Sequence, residues 1–444
     1  MGKKPEKQHQ IPEPETIEAK QSRPRLFLRA LRSRNYRLFV MGQGISLIGT
    51  WMQQVAMSWL VYRMTGSAML LGIIGFTSQV PSFVLAPVAG VLADRWEKRR
   101  LLFATQTLAL IQAALLAVIV LTGMVQVWQI VVLSLFLGIV NAFDIPVRQS
   151  FVVQMVDLRE DLSNAIALNS SMVNGARLIG PTIAGLLVAS VGEGVCFAIN
   201  SASYLAIIIA LAAMRVTPQP PRVQQHNVLQ ELREGVRYAF GFKPIRSILL
   251  LLALVSLMGM PYSVLIPVFA REALHGSSHT YGFLMTASGI GALCGAFFLA
   301  SRKSVIGLGM VIVRAAFFFG TGIAVFAAST VFVLSMASLV VAGFGAMTLV
   351  ASCNTVLQTI VEEDKRGRIM SLFTMAFIGM TPFGSLIAGS LADSIGAKET
   401  VLAGGLCCLA GGLIFFRQLP MLREKIRPIY VDRGIIGMDT PHPQ

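Results

Sequence analysis

Apolar stretches of about twenty residues, parted by short polar or charged joints, recur along the chain from Phe39 to Phe416. Each can cross ~30 Å of hydrocarbon as a helix. A backbone in lipid must satisfy its own hydrogen bonds, so these stretches are expected to be helices. The pattern predicts twelve, over roughly 37–63, 69–93, 101–122, 125–147, 164–190, 194–214, 246–270, 280–300, 306–328, 330–354, 368–392 and 398–417. The expected fold class is all-α and integral to a membrane.

The chain also repeats itself. A shift of 204 residues lays Gln154–Gly192 on Gln358–Gly396 without a gap. Gly175, Gly180, Ile183, Ala184, Gly185, Leu187, Ser190 and Gly192 then fall on Gly379, Gly384, Ile387, Ala388, Gly389, Leu391, Ser394 and Gly396. Span 5 maps onto span 11, six spans later and in the same direction. Two parallel six-helix repeats with a site between them is a transporter design.

This divides the chain into a polar tail (1–24), a six-helix bundle (25–214), a linker (215–245), a second six-helix bundle (246–418) and a second tail (419–444). In the linker, Val228, Leu229, Leu232, Val236 and Phe240 recur at helical spacing against Glu231, Arg233, Glu234 and Arg237. That pattern predicts an amphipathic helix lying on the membrane surface.

Charge fixes an expected orientation. With the N-terminus inside, all but five of the 37 lysines and arginines fall in cytoplasmic segments. Arg63, Arg271 and Lys398 lie outside, and Arg177 and Arg314 lie within spans. The bias places both termini in the cytoplasm of a cell whose inner membrane holds the chain. The net charge of +15 therefore reads as topology and attraction to anionic lipid. Basic residues scattered over many joints do not make a nucleic-acid surface. The five cysteines lie in apolar stretches without metal-like spacing, so neither a metal nor a cofactor is expected.

The joint after span 2 reads Gly90-x3-Asp94-Arg95-x2-Lys98-Arg99-Arg100. With twelve spans and two repeats, it resembles the signature loop of the major facilitator superfamily. Glu97 stands where many members carry glycine, as in the branch of enterobactin exporters and macrolide-efflux proteins. Further runs resemble that branch: Gly49-Thr-Trp51-Met-Gln53-Gln54, Asn141-x2-Asp144-x-Pro146-x-Arg148-Gln149, Arg177-x2-Gly180-Pro181-x3-Gly185 and Tyr281-Gly282-x-Leu-Met-x3-Gly289-x-Gly291. The resemblance implies an ion-pair relay of Asp94, Arg95, Arg99, Asp144 and Arg148 that latches the halves; a purely topological anchor is the alternative.

Charges inside spans are functional candidates because they are costly there. Arg177 lies mid-span, with Ser170, Asn174 and Pro181 on one stripe. Polar stripes also occur at Gln43, Thr50 and Gln54 in span 1, Ser256 and Ser263 in span 7, and Thr374 and Thr381 in span 11. Together these could line a cavity with Arg177 as its fixed positive charge. The competing reading is an arginine satisfied by carbonyls near the Gly180-Pro181 break. No Asp or Glu falls in the central third of any predicted span, which favours a neutral or anionic passenger over a cation. Gly90, Gly180, Pro181, Gly185, Gly384 and Gly389 are expected to serve bending and close packing.

The reading is a secondary active exporter of a small neutral or anionic organic molecule, siderophore or drug-like, working by alternating access and coupled to protons. A lysophospholipid or other lipid-like passenger is the alternative. The expected partners are this small molecule and the bilayer, with a monomer as the working unit. No HExxH or GxSxG motif and no histidine in a span argue against an enzyme. No GxxxxGK[ST] loop is present, so no nucleotide is expected.

Overall fold

The computed structural model describes residues 29–215, 228–302 and 304–436. The tail 1–24, the proline cluster Pro218–Pro221 and the residues from 437 onward lie outside them. The described chain forms twelve long helices: α1 (Arg34–Thr65), α2 (Ala68–Arg95), α3 (Lys98–Leu121), α4 (Val127–Met155), α5 (Leu162–Val191), α6 (Glu193–Ala213), α7 (Lys243–Ala273), α8 (Ser278–Ala300), α9 (Leu308–Ala328), α10 (Phe332–Ile360), α11 (Arg366–Ile395) and α12 (Ala397–Asp432). All but α1 are long and apolar enough to cross a membrane by length and composition. The more polar α1 packs on both α5 and α6. Successive helices run antiparallel, so residues near Arg29 and Ile436 lie at one end of the molecule. That end is called the termini end and the other the far end.

The repeat is visible in the packing. In the first half α2 and α3 flank α4, and α6 packs on α1 and α3; in the second α8 and α9 flank α10, and α12 packs on α7 and α9. The joints before α6 and α12 match as well. Gly192 and Gly396 both take positive φ, +86° and +101°, a conformation that costs glycine little.

Two helices are irregular. In α7 the Met260 N–H reaches back five residues to the Val255 carbonyl, 2.9 Å away, making a π-turn at Val255–Gly259 just before Pro261. In α11 a π-turn at Met375–Gly379 precedes Pro382. Proline offers no N–H and crowds the carbonyl four residues back, and a widened turn relieves both problems.

Several boundaries differ from the hydropathy pattern, three of them as follows. Helix α4 continues through Pro146 to Met155 instead of ending near 147. Helix α7 starts at Lys243, inside the expected linker. Helix α12 runs on to Asp432, so the expected tail 419–444 opens as helix, with Leu419 and Leu422 buried. These apolar residues continue the α12 packing stripe among charges that lower the average hydropathy.

The linker carries its amphipathic helix at Val228–Gly241. It is fastened to the second half: Glu234 pairs with Arg368 at 2.9 Å, and Lys365 lies 4.7 Å from the Tyr238 ring centre. The hydrogen bond to Glu362 holds the Lys365 ammonium above its ordinary pKa. Burial, with the same acid, pushes the Tyr238 hydroxyl up.

Candidate functional site

The contacts that join the two halves gather toward the far end, along two matching seams. On one, α5 meets α8. A Cβ on Gly185 would stand 2.9 Å from the Ser278 carbonyl oxygen and 3.0 Å from the Gly282 Cα, so only glycine permits this approach. Ser278 donates to the Gly185 carbonyl at 3.3 Å, and the Thr182 and Thr286 hydroxyls meet at 2.6 Å. On the other, α2 meets α11, and a Cβ on Gly389 would stand 2.8 Å from both the Ala68 carbonyl oxygen and the Gly72 Cα. Small-residue contacts of this kind bring helices together in lipid, where hydrophobic burial gives no drive.

Side chains reinforce the far end. Asp393 of α11 accepts from the Ala68 N–H at 2.8 Å, the Met69 N–H at 3.1 Å and the Ser67 hydroxyl at 3.0 Å. A carboxylate of one half thus satisfies orphan donors at the positive end of a helix in the other. Tyr62 donates to Glu272, and Trp59 stacks on Tyr281, also across the halves. Sequence reasoning missed Asp393 and Glu272. Their signal was an acid beside a far-end joint, within reach of a helix start.

Toward the termini end the halves part. Arg177 sits halfway along α5, accessible, with its guanidinium 5.0 Å from the Trp51 ring centre on α1. No acid among the described residues pairs with it, and Tyr262 of α7 lies within electrostatic reach. A cation over a tryptophan face is held by roughly 0.5–2 kcal/mol without losing its charge, which leaves its N–H groups available for an anion. Ser170 is accessible on the same helix, and Asn174 donates to its carbonyl at 2.9 Å. Gln54 and Thr374 are exposed and Ser263 is half-buried.

Four expected cavity residues, Gln43, Thr50, Ser256 and Thr381, lie elsewhere. Gln43 is buried, and Thr50 hydrogen-bonds to the Ser46 carbonyl and to Tyr204 of α6. Their stripe continues into Gln53, which accepts from Asn200 at 2.7 Å and donates to Gln112 at 3.0 Å. It therefore ties α1 to α3 and α6 instead of facing an opening. Ser256 is fully buried between α7 and α11, donating to the Phe377 carbonyl and meeting Thr381 at 3.0 Å. Ser256 and Thr381 join the two π-turned helices at their irregular turns.

The expected relay is distributed. Gly90, Asp94 and Arg95 belong to α2, but their side-chain surroundings lie outside the described residues. Arg99 donates to the Leu211 and Ala212 carbonyls at 2.8 and 2.9 Å, closing the end of α6 rather than pairing with an acid. Asp144 is buried and accepts from Thr105 at 2.9 Å and Gln106 at 2.7 Å, with Arg148 at 3.6 Å. Because α4 continues to Met155, Asp144 falls in the central third of its helix, about 10 Å in from the start of α3. The expectation that no acid lies there is corrected. This acid, however, turns toward α3 and not toward Arg177.

Gly180 and Gly384, one repeat apart, take matching places. Gly180 lies against Ile48 and Trp51 of α1, and Gly384 against Leu257 and Pro261 of α7. Pro181 sits at the α5–α8 seam, its carbonyl facing Gly282.

Comparison with known proteins agrees with this architecture. The chain is 25% identical over 395 residues to the staphyloferrin A transporter of Staphylococcus aureus, covering 88% of this chain and 98% of that protein. It is 25% identical over 391 residues to the multidrug efflux pump Tap of Mycolicibacterium fortuitum, covering 86% and 93%. It is 22% identical over 387 residues to macrolide efflux protein A of Streptococcus pyogenes, covering 86% and 94%. In fold it is similar to the nucleoside transporter NupG, with a TM-score of 0.67 at 13% identity over 87% of this chain and 99% of that one. A bacterial homologue of the lysosomal transporter Spinster gives 0.67 at 14% identity over 89% and 98%. The model of the transmembrane secretion effector family matches residues 27–428. The chain thus belongs to the transmembrane secretion effector family, a group of major facilitator superfamily transporters.

Proposed function

We propose that this transporter exports a small organic anion, or a neutral molecule with an anionic face, from the cytoplasm by alternating access. The observation that carries the reading is Arg177: a mid-span guanidinium stacked on Trp51, without an acid partner among the described residues, at the level where the α5 backbone still meets Gly289 of α8 in the other half. An intramembrane charge without a partner is costly, and a passenger's carboxylate or phenolate would complete it. The relatives, which include transporters of a siderophore, of several drugs and of macrolides by their names, support efflux as the direction.

The basic residues at the joints of the termini end support a cytoplasmic placement of that end in a cell membrane. The conformation is then open to the cytoplasm, with the two glycine seams and Asp393 closing the outside. Rocking about these seams exposes Arg177 alternately to the two sides. Coupling to protons is assigned to Asp144. Its buried carboxylate is shared by Thr105, Gln106 and Arg148, so protonation would release Arg148, which lies one helical turn nearer the mouth.

The test is a thermal-shift and vesicle-uptake panel on purified protein, wild type beside Arg177→Ala, with anionic siderophores, lysophospholipids, neutral macrolides and cationic dyes. Siderophores are expected to raise the wild-type melting temperature and to lose about tenfold in affinity in the variant. Equal stabilisation of both proteins by macrolides or dyes would make Arg177 structural, and selective stabilisation by lysophospholipids would replace the proposed passenger with a lipid.

A further inference from the structure

The second half contains a cavity that the transport pathway does not use. It lies at the termini end, inside the second bundle, where α7 and α9 begin, α10 ends and α12 passes on toward Asp432. Its volume is about 90 Å³, and its depth is apolar, walled by Ile248, Ile312, Val356 and Leu419. Its rim is basic. Arg423 and Arg427 follow Leu419 at four-residue steps along one stripe of α12, so apolar and cationic groups meet on one face.

Arg423 stands out among them. Its Nη2 is buried and has no hydrogen-bond partner among the described residues. Arg302, on the loop that forms another part of the rim, already donates to the Ile306 carbonyl at 3.0 Å. The matching end of the first half is closed differently. There the helix related to α12 stops at Ala213, and Arg99 caps its last carbonyls. In the second half α12 does not stop, its carbonyls stay within the helix, and Arg423 lines the hollow with its unpartnered Nη2 covered at the wall.

We propose that this cavity binds one anionic glycerophospholipid from the leaflet at the termini end, with a few methylenes of one acyl chain in the apolar depth and the phosphate oxygens on Arg423. A buried guanidinium nitrogen calls for an acceptor, and phosphate supplies it with charge. A soluble anion would leave the apolar walls empty, and a neutral chain would leave Arg423 unanswered. A phospholipid satisfies both, and anionic headgroups concentrate where juxtamembrane arginines do.

The test uses the full-length protein in detergent, delipidated and then titrated with dioleoylphosphatidylglycerol, dioleoylphosphatidylcholine or inorganic phosphate, with retained lipid counted by native mass spectrometry. Wild type is expected to retain one phosphatidylglycerol with about tenfold preference over phosphatidylcholine, and Arg423→Gln to lose that preference. Arg417→Gln, an exposed arginine of the same helix that does not line the cavity, should keep it. Equal retention of the two lipids by wild type, equal loss in both variants, or protection by inorganic phosphate alone would overturn the proposal. Should Arg423→Gln fail to fold, wild type labelled by phosphatidylglycerol with a diazirine-bearing acyl chain decides the matter. Labelled peptides within 305–312 and 415–426 support the site, and labelling confined to other segments overturns it.

Discussion

Asp144 on α4 and Thr348 on α10 fall within one residue of matching places in helices of 29 residues each, yet their surroundings are opposite. Asp144 is held by two side chains of α3 and by Arg148. Ser352 likewise falls within one residue of the place of Arg148, and the Thr348 and Ser352 hydroxyls are both buried without partners among the described residues. The first half adds a buried amide network, Gln112–Gln53–Asn200. The second half instead puts its irregularity into the backbone, with π-turns in α7 and α11. One fold thus carries two devices: a half whose interior is fixed by polar side chains, and a half whose helices are built to bend.

This contrast can be broken most forcefully at Asp144. Asp144→Leu removes one member of a buried ion pair and strands Thr105, Gln106 and Arg148, so thermal unfolding in detergent should show a loss of about 3 kcal/mol. Thr348→Val, one residue from the matching place, removes a hydroxyl that has no partner among the described residues and should be neutral or stabilising by up to about 1 kcal/mol. Equal losses in the two variants would erase the distinction between the halves.

The seams should respond next. Gly185→Leu and Gly389→Leu, related by the repeat, push a side chain into the opposing backbone, at a cost of about 1–3 kcal/mol to the far-end closure. Cysteine pairs placed across each seam should cross-link less readily in these variants. A smaller effect is expected at the opening: Trp51→Leu removes the ring beneath Arg177 and should weaken anion binding by about 1 kcal/mol, read by titration. The smallest concerns the linker. The Arg368–Glu234 pair is partly exposed, so Arg368→Ala should change stability by less than about 1 kcal/mol, measured by the same unfolding assay.

The spans and the repeat were legible because length and hydropathy follow from bilayer thickness, and because glycine is demanded at the same seam twice. Gly185 and Gly389 were paired by sequence and meet equivalent neighbours in space. Arg177 was legible as a charge inside an apolar run. Asp144 was misplaced because hydropathy falls near Pro146 while the helix continues, supported by Val147, Phe151 and Val152 in the core. Gln43 and Ser256 were assigned to an opening they do not face. A polar stripe on a membrane helix marks either water or a hydrogen-bonded neighbour, and only helix rotation distinguishes them. The reach of Asp393 across to α2 joins residues more than 300 positions apart, which no local pattern encodes.

Rocking of the two halves about the far-end seams is tested most directly by distances across both ends. In a cysteine-free background, spin labels at Met124 and Val333 span the far end, and labels at Val153 and Thr374 span the termini end; all four positions are exposed. Pulsed electron resonance would compare the native seam with Gly389→Leu. Rocking predicts that the variant lengthens the far-end distance and shortens the distance at the termini end. Lengthening at the far end with an unchanged or longer distance at the termini end would contradict it.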